Sequence, residues 1–170
     1  VLNLFCYTGS FSVYAASGGA ASVSSVDLSN TYLAWAGRNL AANGFSGPGY
    51  PLIRAEARAF LAEARRKGLS WELIVLDPPT FSNSKASELD FDVNRDWPEL
   101  LGQALDVLAP DGLLYFSTNS RRLRWQPELV HAHAEELGES SVPPDFRDKK
   151  IHRAWRIARE ESTTIIKGDS

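Results

Sequence analysis

Short apolar runs alternate along this chain with stretches whose apolar residues recur every three or four positions. That is the pattern of strands followed by amphipathic helices. Leu2 to Phe5 reads as a buried strand, Ser10 to Ala16 as a helix closing at Gly18-Gly19, and Ser22 to Val26 as a second strand. Ser29 or Asn30 is positioned to cap a helix with Leu33, Ala36 and Leu40 on one face and Gly44 as its terminator. The Gly47-Pro48-Gly49 turn leads to a strand near Tyr50 to Arg54. A helix from Ala57 to Lys67 follows, with Phe60, Leu61 and Ala64 inward and a stop at Gly68.

Glu72 to Leu76 reads as the fourth strand, and Ser82 to Asn94 has no period and reads as a loop. Asp96 is expected to cap a helix from Trp97 to Leu108, with Pro98 tolerated in its first turn. Pro110-Asp111-Gly112 then turns the chain into a strand from Leu113 to Ser117. Glu128 to Leu137 reads as a last helix. Ser140 to Val142 and Ala154 to Ala158 read as an antiparallel pair joined by a basic segment. Strands and helices alternating in this way predict an α/β fold, a mostly parallel sheet with helices on both faces. In such sheets ligands bind beyond the carboxyl ends of the strands, near the topological switch.

Length suits one domain over residues 1–170, and no stretch is apolar for long enough to span a membrane. The chain lacks an initiator methionine and begins inside a strand expected in the middle of the sheet. A fragment of a longer polypeptide is therefore expected. One cysteine, Cys6, rules out a disulfide framework or a multi-cysteine zinc site. The three histidines are scattered, so no metal site is expected. A net charge of −3 argues against affinity for polyanions over the whole surface. Basic residues nevertheless cluster late, at Arg121, Arg122 and Arg124 and again from Arg147 to Arg156. That cluster is either a solvated face or a local phosphate-contacting rim.

The candidate chemistry lies at strand ends. The turn after the first strand, Phe5-Cys6-Tyr7-Thr8-Gly9-Ser10, keeps only Gly9 of a dinucleotide fingerprint, and Tyr7 and Thr8 would crowd a pyrophosphate. A phosphate-free ligand suits it better, with an amino-acid portion bonding to the backbone from Phe5 to Gly9 and to Asn3 or Ser10. S-adenosylmethionine is such a ligand, and aromatic faces at Tyr7 or Phe81 could assist its sulfonium. Asp27, with Leu28 and Ser29 beside it, ends the second strand and could accept both ribose hydroxyls, or merely cap the next helix. Glu56, next to Ala57, could accept an adenine amino group, or simply suit the helix dipole. Asp77-Pro78-Pro79-Thr80-Phe81 is the most specific feature. Its prolines cannot donate, so a rigid corner offers carbonyls for the edge of a planar base and a ring for its face.

Leu4 to Ser10, Val26 to Leu40, Asp77 to Lys85, Phe91 to Asp96, Asp145-Phe146 and Ile151-His152-x-x-Trp155 carry a resemblance across nearly the whole chain. The chain resembles class I S-adenosylmethionine-dependent RNA methyltransferases. Within them it is similar to the K half, guanine-N7 specific, of the bacterial K/L enzymes of 23S ribosomal RNA. The resemblance implies a Rossmann-like seven-stranded sheet with its last strand antiparallel, an RNA-binding part upstream, and a cytoplasmic protein that meets ribosomal RNA. It further implies that Asp77, Pro78, Pro79 and Phe81 form the catalytic corner, with Asn119 or Asp77 holding the base edge and Arg121, Arg122 and Lys149 meeting phosphates. Two departures stand out. Glu56 replaces an aspartate, and Ser117-Thr118-Asn119-Ser120 replaces Ser-Asn-Asn-Lys.

Three rivals remain at this point. Cytosine-C5 methylation needs a thiolate after the fifth strand, where Thr118 and Asn119 stand, and Cys6 lies instead in the cofactor turn. Adenine-N6 methylation usually places its aromatic directly after the prolines, whereas here Thr80 intervenes. The third is a non-catalytic RNA-binding module, which would have no need of Gly9, Asp27 or the Asp77 corner.

Overall fold

The computed structural model describes residues 1–82, 90–138, 142, 145, 148 and 151–159. Its centre is a seven-stranded sheet in the order β3-β2-β1-β4-β7-β9-β8. These strands are β1 Leu2–Leu4, β2 Ser24–Asp27, β3 Leu52–Arg54, β4 Trp71–Leu76, β7 Leu108–Thr118, β8 Ala132–Glu136 and β9 Arg153–Arg159. Four helices accompany them, α1 Ser10–Ser17, α2 Asn30–Ala42, α3 Ala57–Arg66 and α4 Val93–Asp106. Strands β1, β2, β3, β4 and β7 pair in parallel, and β9 runs antiparallel to both neighbours. The expected architecture, including its antiparallel last strand, is therefore present. The order reverses between β1 and β4, which opens a crevice above their carboxyl ends.

Leu2, Leu4, Ile74, Leu76, Leu114 and Phe116 are fully buried on the central strands, and Trp97, Leu100 and Leu101 of α4 pack against them. A small polar network sits inside this apolar frame. Asn3 donates to Ser12 Oγ at 2.8 Å, and Ser12 meets Ser25 Oγ at 2.7 Å, which pins α1 to β1 and β2. Gly9, with φ +80°, enters α1 against α2, and a Cβ there would lie 2.7 Å from the Ala36 Cβ. Gly9→Ala would thus meet a left-handed backbone and a filled space together. An expected loss of about 2–4 kcal/mol follows, measurable by urea unfolding.

Several boundaries differ from those expected. Helix α4 starts at Val93 and is capped by Asp92, whose side chain accepts from the Asn94 amide at 2.9 Å. Asp96 instead accepts from the Asp92 amide at 3.0 Å, closing the cap from inside the helix, so Pro98 sits beyond the first turn. At the two ends of the aperiodic segment before it lies a two-stranded ladder, β5 Phe81–Ser82 against β6 Phe91–Asp92. Asn83, Ser84 and Lys85 lie outside the described residues. Strand β7 begins at Leu108 and absorbs Pro110-Asp111-Gly112 as an irregularity, with the register shifting between Trp71 and Leu73.

The expected helix from Glu128 to Leu137 is a 3₁₀ turn, Pro127–Leu129, followed by β8. Ala132 is buried and Ala134 half-buried while His133 and Glu135 are exposed, which is an alternation of period two. Pairing overrides the helical propensity of Ala-Glu-Glu. Arg153 and Arg156 on β9 meet Glu136 and Glu135 at 2.7 and 2.6 Å across the ladder. The partner of β9 is therefore β8 and not the segment from Ser140 to Val142, where Val142 lies in a bend and Ser140 falls outside the described residues.

Candidate functional site

A cavity of about 540 Å³ opens at the switch between β1 and β4, within the usual range for a small-molecule site. Phe5 and Tyr7 form its floor from the turn after β1. Both hold left-handed backbone, φ 56° and 50°, a conformation that bulky residues seldom adopt. Surroundings must hold them there, and Asp27 is one such restraint. Its Oδ2 accepts from the Tyr7 amide at 3.0 Å and its Oδ1 from the Ser29 amide at 2.9 Å. A carboxylate has about four acceptor positions, so Asp27 retains two for a ligand. Ser29, not Asp27, caps α2, accepting from the Tyr32 amide at 3.3 Å.

Leu28, Ser29, Glu56 and Ala57 line the same cavity beside Asp27. Glu56 caps α3 by accepting from the Ala59 amide at 2.9 Å, and its other oxygen pairs with Arg58 at 3.5 Å. The far wall is the corner beyond β4, where Asp77, Pro78, Pro79 and Phe81 all face the cavity together with Asn119. Ser117 donates to Asp77 Oδ1 at 2.5 Å, a charge-assisted bond that fixes the carboxylate. Phe81 is 54% exposed, an open ring face at the mouth.

Four of the expected cofactor residues do not line this cavity. Asn3 is buried and engaged with Ser12. The Thr8 carbonyl accepts from Asn39 Nδ2 at 2.8 Å. Gly9 faces Ala36, and Ser10 opens α1 as an exposed residue. Of the late basic cluster, neither Arg121 nor Arg122 lines it. Arg121 pairs with Asp148, Arg122 is exposed, and Lys149 lies outside the described residues.

Other lining residues were not anticipated. Tyr32 meets Tyr7 edge-on with ring centroids 4.4 Å apart, Phe91 packs against Phe5 at 5.9 Å, and Arg58 accompanies Glu56. An aromatic three residues past the Ser29 cap could have signalled Tyr32. The hairpin that delivers Phe91 has no local signature. Nor has the anchor of the loop after β7, where Trp125 is stacked between Trp97 at 4.6 Å and Trp155 at 4.5 Å. Arg153 lies 4.6 Å over the Trp155 ring and donates to the Leu123 carbonyl at 3.0 Å, holding that loop against β9.

Cys6 is buried beneath the turn and outside the lining. Burial, with the Asp27 charge adding to it, pushes its thiol up to about 12, so it stays protonated near neutrality. Among the described residues no cluster of His, Cys, Asp and Glu has the makings of a metal site, and no helix is long and apolar enough to cross a membrane.

A ribosomal RNA large subunit methyltransferase K from Neisseria meningitidis serogroup B is 49% identical over 157 residues, covering 92% of this chain and 44% of its own length. A methyltransferase K/L from Ectopseudomonas mendocina is 52% identical over 158 residues, and this chain spans 21% of it. The chain therefore spans less than half the length of these relatives. Among solved structures, SMU.776, a methyltransferase complexed with SAH, superposes with a TM-score of 0.75 at 29% identity, covering 92% of this chain and 44% of that one. The family model of S-adenosylmethionine-dependent methyltransferases matches residues 1–137, and the chain belongs to that family.

Proposed function

We propose that this chain transfers a methyl group from S-adenosylmethionine to N7 of a guanine in 23S ribosomal RNA, by in-line displacement without a covalent enzyme intermediate. The observation that carries the reading is one cavity holding two sets of groups. Asp27 and Glu56 suit ribose hydroxyls and an adenine amino group at one end, and Asp77, Pro78, Pro79 and Phe81 suit a flat base at the other. The cofactor fits the residues present. Among the described residues three carboxylates line the cavity and the one guanidinium there, Arg58, is paired with Glu56. That balance repels phosphate and favours a cationic sulfonium.

When bound, the cofactor supplies an electrophilic methyl on that sulfonium. The chain's own task is alignment, because guanine N7 already carries an exposed lone pair and requires no base to unmask it. Holding nucleophile and methyl in line is worth about 7–11 kcal/mol where the geometry is good. The base reaches the corner by leaving its stack, as base-modifying enzymes require. Phe81 offers it a stacking face and Asp77 and Asn119 its edge contacts. Arg121, Arg122 and Lys149 serve the flanking phosphates, which requires Arg121 to leave Asp148.

Cysteine-dependent attack on a pyrimidine is disfavoured, since Cys6 is protonated and outside the cavity. The relatives' names point to large-subunit ribosomal RNA. On this reading residues 1–170 are the methyltransferase domain of a longer cytoplasmic protein whose upstream part helps to hold RNA, before or during subunit assembly. Mass mapping of RNA incubated with the full-length parent and methyl donor tests the proposal. A new methyl on guanine N7 is expected, and one on cytosine C5 would overturn the reading.

A further inference from the structure

The β7–β9 register carries two side chains just past the sheet. Thr118 pairs with Arg153, so the next antiparallel pair outward is Asn119 and His152. Their side chains meet, with His152 Nδ1 3.2 Å from Asn119 Oδ1. Both are seated on anchored backbone. On one side Ser120 donates its hydroxyl to Asn94 of α4 at 2.7 Å and its amide to Thr118 Oγ1 at 3.0 Å. On the other, Arg153 is tied to Glu136 and to the Leu123 carbonyl.

An amide oxygen can only accept, so Nδ1 must carry the proton in this contact, in either the neutral ring or the imidazolium. The bond engages Oδ1 and selects one of the two orientations of the Asn119 amide. Its Nδ2, which bonds to no other described residue, is then the donor that Asn119 offers to the cavity it lines. Asp77 is arranged in the opposite sense. Ser117 occupies its Oδ1, and Oδ2 remains as an acceptor. The base end of the cavity thus pairs one donor with one acceptor. A guanine edge offers the keto O6 beside the N1–H and the amino group, which matches. Adenine offers an amino donor beside a bare ring nitrogen, and cytosine does likewise, in the opposite order, so either meets both groups only with its ring turned over and its sugar displaced.

We infer that His152 is a positioning residue that sets base specificity, by locking the Asn119 amide so that the cavity accepts a keto–imino edge and rejects an amino edge. This rests on the base-transfer reading above and gives it a selection device. A flipped amide would face the cavity with its oxygen, leaving two acceptors at the base end and no donor for a keto oxygen.

Two measurements on the full chain test it. Long-range proton–nitrogen spectra of the isotope-labelled protein report which ring nitrogen of His152 is protonated. A proton on Nδ1 is expected, and a bare Nδ1 overturns the inference. Separately, guanosine and adenosine monophosphates are titrated into the chain saturated with S-adenosylhomocysteine. The wild type should favour the guanine nucleotide by roughly tenfold, and His152→Ala should fall below about threefold. His152→Gln, whose amide can still donate, should keep most of the preference, and cofactor affinity should be unchanged in both. Guanine preference that survives intact in His152→Ala overturns this inference alone. Equal affinities in the wild type overturn the guanine reading itself.

Discussion

Replacing Asp77 by alanine is expected to lower the single-turnover rate of methyl transfer by about a hundredfold or more, while affinity for S-adenosylhomocysteine changes by less than about tenfold. The reasoning is geometric. Asp77 sits where β4 gives way to the two prolines, its Oδ1 is fixed by Ser117, and it lines the cavity opposite Asp27 and Glu56. On the proposed reading Asp27 and Glu56 remain to hold the cofactor. The lost carboxylate would let the base settle out of line, and a displacement of about 1 Å at the reacting atoms is enough for such a loss. Ser117→Ala provides the graded control, since it frees the carboxylate without removing it and should cost much less. Unchanged turnover in Asp77→Ala, measured by methyl release from the full-length parent, would take Asp77 out of the base site. A collapse of cofactor affinity would move its role to the other end of the cavity.

Trp155→Ala is expected to cost about 3–5 kcal/mol of stability, read from urea unfolding. Trp155 is 1% exposed, stacked on Trp125 at 4.5 Å and on Phe116 at 5.5 Å, and covered by Arg153. Truncation would open a void at the junction of β9, α4 and the loop after β7. Trp155→Phe should behave differently. Trp155 Nε1 is buried with no hydrogen-bond partner among the described residues, and removing it relieves a penalty of about 1–3 kcal/mol while a ring remains to stack. The phenylalanine variant should therefore lie within about 1–2 kcal/mol of the wild type. Equal losses in the two variants would show that the indole itself, and not the volume it fills, governs this site.

Much of the site was legible because parallel strands place their chemistry at their ends. Asp27 and Glu56 followed strands in the sequence, as did Asp77 with its prolines, and each lines the cavity. Phe81 was readable as the ring beyond a rigid corner. A mostly parallel sheet followed from the alternation of elements, and its seven strands and antiparallel last strand from the family resemblance. What stayed hidden depends on contacts between distant residues. Ala132 to Glu136 has a helix former's composition, and only Arg153 and Arg156 across the ladder make it a strand. Asp92 outcompeted Asp96 as the α4 cap because Asp96 was better placed to accept the Asp92 amide. Gly9 looked like a ligand-side glycine, whereas its missing side chain makes room for α2. The stacking of Trp125 between Trp97 and Trp155 joins three separate segments, and no local pattern announces it.

The left-handed backbone at Phe5 and Tyr7 has a consequence for how this protein can change. Each such residue costs about 1–3 kcal/mol relative to a relaxed conformation. Glycine at either position would release that tension but lose the packing of Phe5 on Phe91 or of Tyr7 on Tyr32, so the rings themselves help to hold the strained backbone that carries them. Each ring therefore does two jobs within a single loop, lining the cavity and offsetting the strain of its own backbone.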